Sequence, residues 1–317
     1  MVSLVQLRVL DAVHRHGSVT AAARELHYTQ PSLSHHLARL ETETGARLLQ
    51  RVGRGIRLTE AGRLLAERAA EIIGRVDSAA AELSTLVGLR AGRVRLAGFG
   101  SVMSALVPRA AAVLAERHPG LELGLTDTHP GDALRLLRGG QVDVAVIFRF
   151  DETAPEEDGV RLRHLLDDPL YLLTGGAGGT LADHRDAAWI GGCERCRAHL
   201  VELCEQAGFT PRLTSTTDDM VVMQSLVAAG LGVTTIPGLA LSAHRDPAVT
   251  VTRLDVPPRR VVAATYGDPP DPPATTALLA ALDEAAALIA RTDRAKRVLG
   301  GERLTSVTSV TDVTTGR

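Results

Sequence analysis

Apolar residues recur at helical spacing along the first fifty residues and predict three helices there. The first helix is indicated by a row of residues that ends before Gly17: Leu4, Leu7, Leu10 and Val13. Ser18 is a suitable N-cap for a second, alanine-rich helix over 19–26. A third helix is predicted over 30–44, because a proline stands in its first turn and Gly45 follows its last residue.

The third predicted helix has one apolar and one polar side. At about 100° per residue, Leu33, Leu37 and Leu40 fall together and are expected to pack inward. The rest of the helix and the residue before it carry a surface that fits the major groove of DNA: Thr29, Gln30, Pro31, Ser32, Ser34, His35, His36 and Arg39. A solvated helix face without a ligand is the alternative interpretation.

A short β-hairpin with a glycine-rich tip is predicted over 51–59. It carries an arginine at every third residue: Arg51, Arg54 and Arg57. On such a wing, guanidinium groups can contact phosphates, which supply affinity without sequence information. The helices and the wing together predict a DNA-binding domain over 1–62.

A long helix is predicted from Thr59, which can cap it, to about Val87. Its apolar residues step by four and three and form a heptad seam: Leu65, Ala69, Ile72, Val76, Ala79, Leu83 and Leu86. This pattern favours pairing with a second copy of the helix, because helix-turn-helix proteins bind paired half-sites. Packing on the chain's own domain is the alternative. We assign 63–91 to this linker and dimerisation helix.

Strands and helices alternate from residue 92 onward with short loops, which is typical of an α/β domain with a parallel sheet. Strands are predicted at 93–97, 121–126, 142–148, 160–166, 170–174, 212–216, 233–237 and 260–266, and the last helix at 275 to about 291. Residues 293–317 are rich in Ser and Thr and lack apolar periodicity, so we expect a disordered tail.

Open α/β sheets bind ligands beyond the carboxyl ends of their strands. In this chain that rule selects six candidate effector-binding residues: Ser101, Val102, Asp127, Thr128, Phe148 and Arg149. Ser101 is also expected at a helix N-terminus, which favours an anion such as a carboxylate. The alternative is that Ser101 is only a cap and Thr128 only a turn residue.

The cysteines admit three interpretations. Cys193 and Cys196 form a C-x-x-C motif, and Cys204 follows eight residues later. On a helix, Cys196 and Cys204 are about 12 Å apart at about 1.5 Å per residue, which is too far to share a zinc ion. A redox pair of Cys193 and Cys196 at a helix N-terminus is chemically sound, since that position lowers a thiol pKa. Small buried residues without chemistry are the third interpretation.

Composition and charge exclude some classes of protein. The chain is 45% hydrophobic and 23% charged, the balance of an ordinary globular protein. We find no apolar run of about 18 residues, as a membrane helix would need, and no basic and apolar segments typical of a signal peptide at the start. We therefore expect a cytoplasmic protein without membrane contact. The formal net charge is −2, divided into +3 for residues 1–62 and −5 for the remainder. That excess is too small to identify a DNA-binding protein by itself.

An enzyme is the main rival class. The sequence has no nucleophile elbow, P-loop, complete dinucleotide fingerprint or metal-ligand cluster. The stretch 98–100 is a lone G-x-G that lacks the third glycine. We therefore expect no catalytic residues, no cofactor and no metal.

The order and spacing of residues over the first sixty positions resemble the LysR-type transcriptional regulators. The resemblance rests on 17–23, 28–34, 40–41, 45, 48–51 and 58–62, and more weakly on 140–143 and 228–232. Two departures are the pair His35–His36, where the family often has a basic residue or Gln, and Leu49, where it usually has Phe. The first bears on which operator is bound.

The resemblance implies a fold and a set of partners. It implies a winged helix-turn-helix, a linker helix that dimerises, and an effector-binding domain over 92–292 with the fold of periplasmic binding proteins. That domain would have one subdomain over about 92–160 and 267–292, a second over about 161–266, and a cleft between them. Expected partners are a pseudo-palindromic operator in double-stranded DNA, a small-molecule effector, RNA polymerase and further copies in a homodimer or homotetramer. A solute-binding receptor shares the fold but not the DNA-binding domain.

Overall fold

The structure, a computed structural model, describes residues 1–52, 55–86, 92–150, 159–299 and 304–306. Its N-terminal part consists of α1 (Leu4–His16), α2 (Val19–Glu25), α3 (Gln30–Thr44), β1 (Leu49–Val52), β2 (Gly55–Leu58) and α4 (Glu60–Leu86). The three predicted helices and the wing hairpin are therefore confirmed, and helix bounds differ from the prediction by about one residue.

Local capping explains these bounds. The Ser18 hydroxyl accepts a hydrogen bond from the N–H of Ala21, and the Thr29 hydroxyl accepts one from the N–H of Ser32. Gly17 and Gly45 end α1 and α3 with φ values of 60° and 67°, a left-handed conformation that glycine adopts without strain. These short-range interactions are readable from sequence, which is why the helix ends were predictable.

The core of the N-terminal part forms where the three helices meet. Leu33, Leu37 and Leu40 of α3 are buried, as their spacing predicted, and they pack against residues of α1 and α2: Val9, Leu10, Ala12, Val13, Val19, Ala22 and Ala23. Leu48 and Ala66 join the same cluster and connect it to the wing and to α4. The polar side of α3 is consequently turned away from the core.

The start of α4 is fixed tightly against the wing. The Thr59 hydroxyl accepts a hydrogen bond from the N–H of Gly62 at 3.0 Å, which confirms the predicted cap. A Cβ atom at Gly62 would lie 2.1 Å from the carbonyl oxygen of Leu48, so only glycine fits this contact. The position of α4 relative to the wing is therefore set by backbone packing.

The two halves of the predicted heptad seam have different environments. Ala69 is buried, and α4 packs against α1 of its own chain. Farther along, Ile72 and Val76 are each 44% exposed and Leu83 is 62% exposed. The first half of α4 therefore packs on its own domain, while the second half leaves apolar side chains uncovered, and pairing with a second copy stays a prediction.

A five-stranded sheet forms the first lobe of the remaining chain. Its elements are β3 (Gly92–Gly98), α5 (Gly100–Ala105), α6 (Val107–Arg117), β4 (Leu121–Asp127), α7 (Pro130–Arg138), β5 (Val144–Arg149) and β6 (Val160–Asp168). A later strand, β12 (Arg259–Tyr266), completes it in the order β4-β3-β5-β12-β6. The strands β3, β4 and β5 are parallel, as predicted, whereas β12 runs antiparallel to β5 and β6.

The second lobe has its own sheets and core. Its elements are β7 (Leu170–Thr174), β8 (Ala188–Gly191), α8 (Glu194–Gln206), β9 (Arg212–Thr216), α9 (Met220–Ala228), β10 (Thr234–Pro237), α10 (Gly238–Ala243) and β11 (Thr250–Asp255), followed by β12 (Arg259–Tyr266) of the first lobe. Trp189 is fully buried among residues such as Leu172 and Leu200. The helix α9 is capped by Asp219, whose carboxylate accepts hydrogen bonds from two backbone N–H groups.

The predicted division between the subdomains is wrong at both crossings. Residues 161–168 and 259–266 were assigned to the second subdomain, yet β6 and β12 are hydrogen-bonded in the first sheet, with β12 next to β5. The chain thus crosses between lobes after Asp168 and again before Arg259. The physical reason is that tertiary contacts decide which strands pair over long sequence separations. The hydrophobic pattern along the chain carries no information about those contacts.

The C-terminal helix is longer than predicted. It is α11 (Pro273–Leu299), and a three-residue strand β13 (Leu304–Ser306) pairs in parallel with β11. The predicted disordered tail is therefore wrong for 293–299 and 304–306, because 293–299 contains good helix formers and no glycine or proline. Residues 307–317 lie outside the described part of the chain.

One described helix segment, Pro273–Thr292, is long and apolar enough to cross a membrane by length and composition alone, contrary to our expectation of no such run. Its buried side chains pack in the core of the first lobe: Leu278, Leu279, Ala281, Leu282, Ala285, Ala286 and Ile289. The apolar composition of this segment is accounted for by that packing.

Candidate DNA-binding surface and effector cleft

The polar side of α3 forms a continuous exposed surface. Of the residues predicted to contact DNA, Thr29, Gln30, Pro31, Ser34, His35 and Arg39 are exposed, and Ser32 and His36 are half-buried. The His36 ring lies 5.5 Å from the ring of Tyr28, centroid to centroid, and 6.4 Å from that of His35. The histidine pair that departs from the family pattern is thus held at the surface beside an aromatic ring.

Arg39 is tied to a neighbour that the sequence interpretation missed. Its Nε donates a hydrogen bond to Oε1 of Glu43, one helical turn along, while its side chain remains 64% exposed. Nε2 of Gln6 donates to the other carboxylate oxygen of Glu43. The hydrogen bond from Arg39 holds the pKa of Glu43 below its usual range. The i, i+4 spacing of Arg39 and Glu43 was the signal that could have predicted this pair.

The wing is anchored to α3 by Glu41. Its Oε1 accepts hydrogen bonds from the backbone N–H groups of Leu48 and Leu49 at 2.7 and 3.1 Å. Of the three predicted wing arginines, Arg57 is exposed on β2, and Arg51 lies on β1 with its backbone described. Arg54 lies outside the described residues. One carboxylate of α3 thus ties the start of the hairpin to that helix.

A cavity of about 330 Å³ lies between the two lobes of the α/β domain. It is lined by Phe99, Gly100, Ser101, Asp127, Thr128, His129, Phe148, Cys193, Cys196, Asp218, Met220 and Arg259. Four of the six predicted effector-binding residues are brought together here: Ser101, Asp127, Thr128 and Phe148. Val102 is instead fully buried in the core of the first lobe, and Arg149 is not among the lining residues.

A buried ion pair lies at the wall of this cavity. Arg259, which is 2% exposed, donates from Nε and Nη2 to Oδ2 of Asp168 at 2.9 and 2.7 Å. The guanidinium carbon lies 4.9 and 4.7 Å from the ring centroids of Phe99 and Phe148. No local sequence signal marked this pair, because its members are 91 residues apart.

The structure changes the interpretation of Ser101. Its hydroxyl accepts a hydrogen bond from Nη2 of Arg259 at 2.6 Å, and the side chain is buried. The helix that contains it, α5, begins at Gly100 and has only six residues. The argument for an anion at that helix terminus therefore loses its support, since the hydroxyl is occupied and the helix is short.

The mouth of the cavity is bridged by a contact between the lobes. Nε2 of His129 in the first lobe lies 3.1 Å from Oδ2 of Asp218 in the second, and both side chains are more than half exposed. His129 and Asp218 were missed by sequence analysis, because they follow β4 and β9, which belong to different sheets. An ion pair forms between them when the histidine is protonated.

The two cysteines of the C-x-x-C motif lie at the start of α8 and both line the cavity. Their Sγ atoms are 3.1 Å apart. The contact between the two thiols lowers the pKa of Cys193 to about 6 and raises the pKa of Cys196. Cys204 lies in the core of the second lobe, where burial raises its pKa to about 12.

Among the described residues, no group of three or more His, Cys, Asp or Glu side chains is arranged to hold a metal ion. Cys196 packs against the core of the first lobe and Cys204 is part of that of the second.

The linker helix also contacts the first lobe. A Cβ atom at Gly74 would lie 2.0 Å from the carbonyl oxygen of Gly139, so α4 and the turn after α7 meet backbone to backbone. The Arg75 guanidinium lies 5.1 Å from the ring centroid of Tyr266, beside a second cavity of about 260 Å³. The DNA-binding part and the lobe with the cleft are thus joined by packing as well as by the chain.

A winged helix-turn-helix joined through a long helix to a two-lobed domain with an inter-lobe cleft defines a class of ligand-responsive DNA-binding proteins. Two family models match this chain: "Bacterial regulatory helix-turn-helix protein, lysR family" over residues 4–63, and "LysR substrate binding domain" over 88–287. The chain belongs to the LysR family.

Individual relatives agree with this assignment. The RuBisCO operon transcriptional regulator of Allochromatium vinosum is 34% identical over 172 residues, which is 54% of this chain and 55% of that regulator. The aligned part of the chain therefore spans about half the length of that relative. The crystal structure of CbnR, a LysR family transcriptional regulator, has a TM-score of 0.66 at 22% identity and covers 90% of this chain and 99% of its own.

A second structure of that neighbour contains DNA. Full-length CbnR in complex with its target DNA has a TM-score of 0.63 at 22% identity, covering 90% of this chain and all of its own. At this identity the likeness shows the common fold.

Proposed function

We propose that this protein is a LysR-type transcription regulator that binds operator DNA through α3 and the wing and responds to a small molecule in the inter-lobe cleft. The observation that carries the proposal is the exposed polar side of α3 over a buried leucine row, in a chain of this family. The proposal includes a non-catalytic function in the cytoplasm, because the named relatives are regulators.

The proposed DNA contacts divide by chemistry. Ser34, His35 and Arg39 on α3 present donors and acceptors that can reach base edges in a major groove. The wing arginines, of which Arg57 is described and exposed, would neutralise phosphates. In the free protein, the ion pair with Glu43 would hold the Arg39 guanidinium in place. On contact with DNA, Arg39 would leave Glu43 or share its hydrogen bonds between Glu43 and the DNA.

A homodimer or homotetramer is supported by α4. Its second half exposes the apolar side chains of Ile72, Val76 and Leu83 in heptad register. Pairing of two such helices would cover them and present two copies of α3 to a pseudo-palindromic operator. RNA polymerase is a further proposed partner of the complex on DNA.

The proposed domain boundaries follow the described sheets. We assign 1–62 to the DNA-binding domain, 63–91 to the linker helix and 92–292 to the effector-binding domain. Within the latter, the first lobe comprises 92–168 and 259–292, and the second 169–258, as strand pairing requires. The proposed effector is a small molecule that fits a cavity of about 330 Å³.

The proposal is tested by selecting duplexes from a random DNA library with the full-length protein and measuring affinity by gel shift. We expect Arg39→Ala and Arg57→Ala each to lower affinity about tenfold, since one contact to DNA is worth about 1–3 kcal/mol. Loss at Arg57 should be equal for all sequences, whereas loss at Arg39 should depend on the base opposite it. The matched control is Arg117→Ala, an exposed arginine on α6. Unchanged affinity for both variants would refute the assigned surface.

A further inference from the structure

The inter-lobe cavity contains a pair of thiols that effector binding alone does not explain. Cys193 and Cys196 are both partly exposed and both line the cavity. Cys204, in contrast, is buried in the core of the second lobe. The cavity therefore presents two sulfur atoms, 3.1 Å apart, to any molecule that enters it.

Cys193 has the environment of a nucleophilic thiol. It is the N-cap of α8, a helix of 13 residues, so its sulfur lies where backbone N–H groups point outward. The adjacent thiol and backbone of Cys196 lower its pKa to about 6, and the nearby His129 acts in the same direction. Asp218 and burial oppose them. Their balance favours the thiolate, which is the reactive form.

Cys196 has the environment of a resolving thiol. It is more deeply buried than Cys193, and its pKa is raised by the adjacent Cys193 sulfur and by that burial. The guanidinium of Arg259 is the charged group that opposes this rise, and Asp218 adds to it. A disulfide requires a separation of about 2.05 Å, so the two sulfur atoms need to approach by only about 1 Å.

We propose that Cys193 and Cys196 form a thiol–disulfide exchange site for a low-molecular-weight disulfide that enters the cleft. The Cys193 thiolate attacks one sulfur of the incoming disulfide, a mixed disulfide forms, and the first thiolate leaves and takes a proton. Cys196 then loses its proton and attacks the Cys193 sulfur, which releases the second thiolate. The protein dithiol is oxidised by two electrons, and one disulfide is reduced to two thiols.

This inference rests on the proposed function for its consequence, since a disulfide in the effector cleft alters the wall to which the effector would bind. The chemistry itself does not depend on DNA. Thiol chemistry and operator binding can therefore be measured separately on the same preparation.

The experiment uses the reduced full-length protein and 2-hydroxyethyl disulfide at pH 6, with thiols counted by alkylation and mass spectrometry. The wild type should lose two alkylatable thiols and keep that of Cys204. Cys196→Ser should stop at a mixed disulfide on Cys193. Cys193→Ser should react about tenfold more slowly, because the remaining thiol has no lowered pKa. The matched control, Cys204→Ala, should react like the wild type.

Three results would overturn the inference: equal rates for the wild type and Cys193→Ser, a mixed disulfide that accumulates in the wild type, or faster oxidation by hydrogen peroxide at equal concentration. Gel shifts on the selected operator separate this failure from that of the proposed function. If the reduced protein binds the operator but its thiols do not react with the reagent, only the exchange site is refuted. If the two thiols undergo exchange but the protein binds no duplex, the DNA-binding proposal is refuted and the exchange chemistry is supported.

Discussion

The buried ion pair at the cleft allows a quantitative prediction about stability. Replacing Asp168 with Asn keeps the shape of the side chain and removes its charge, so that the buried Arg259 guanidinium loses its counter-ion. Two charged hydrogen bonds of 2.9 and 2.7 Å are weakened. A hydrogen bond to a charged group contributes about 1.5–3 kcal/mol. We therefore expect the free energy of unfolding to fall by about 3–5 kcal/mol, which is the usual cost of removing one partner of a buried ion pair.

The assay is urea unfolding of the full-length protein followed by fluorescence of Trp189. Trp189 is the single tryptophan and is fully buried in the second lobe, so its emission reports the domain that contains the pair. The control is Asp283→Asn at the partly exposed pair with Arg163, where we expect a loss below about 1 kcal/mol.

A double variant isolates the contribution of the unpaired charge. Arg259→Met combined with Asp168→Asn removes both charges, and we expect it to be more stable than Asp168→Asn alone. A loss for Asp168→Asn no larger than that of the surface control would refute the reasoning, because the pair would then be solvated in solution.

Two further predictions concern α4. Gly62→Ala should lower the free energy of unfolding by about 1–3 kcal/mol in a thermal melt, since its Cβ would collide with the Leu48 carbonyl oxygen. Gly131→Ala, where a Cβ meets open space, is the control, and equal melting of both variants would contradict the contact. Leu83→Arg should convert the proposed dimer to a monomer in sedimentation velocity, whereas Leu64→Arg, exposed but outside the seam, should not. An unchanged mass for Leu83→Arg would exclude this helix as the dimer contact.

The DNA-binding part was predictable because its determinants are local. Ser18, Thr29 and Thr59 cap helices within three residues of themselves, and the leucine row of α3 repeats at helical spacing. The spacing alone told which side of α3 faces the core. The pairing of Arg39 with Glu43 was also readable, although it was missed.

The lining of the inter-lobe cavity was predicted only in part. The rule for strand ends found Ser101, Asp127, Thr128 and Phe148. It placed Val102 in the cleft although that side chain points into the core, and it missed Arg259, Cys193 and Asp218 as cavity residues. The C-x-x-C motif was visible, but its position in the cleft was not.

The sequence by itself determined the helices, their caps, the wing and the family, because each depends on residues close together in the chain. Only the tertiary structure decided which strands share a sheet, and thus that Asp168 and Arg259 meet at the lobe crossing. It also decided that the thiols of α8 line the same cavity as Phe148 of the first lobe. The physical reason is that these contacts join residues far apart in sequence, whose encounter depends on how whole sheets pair and pack.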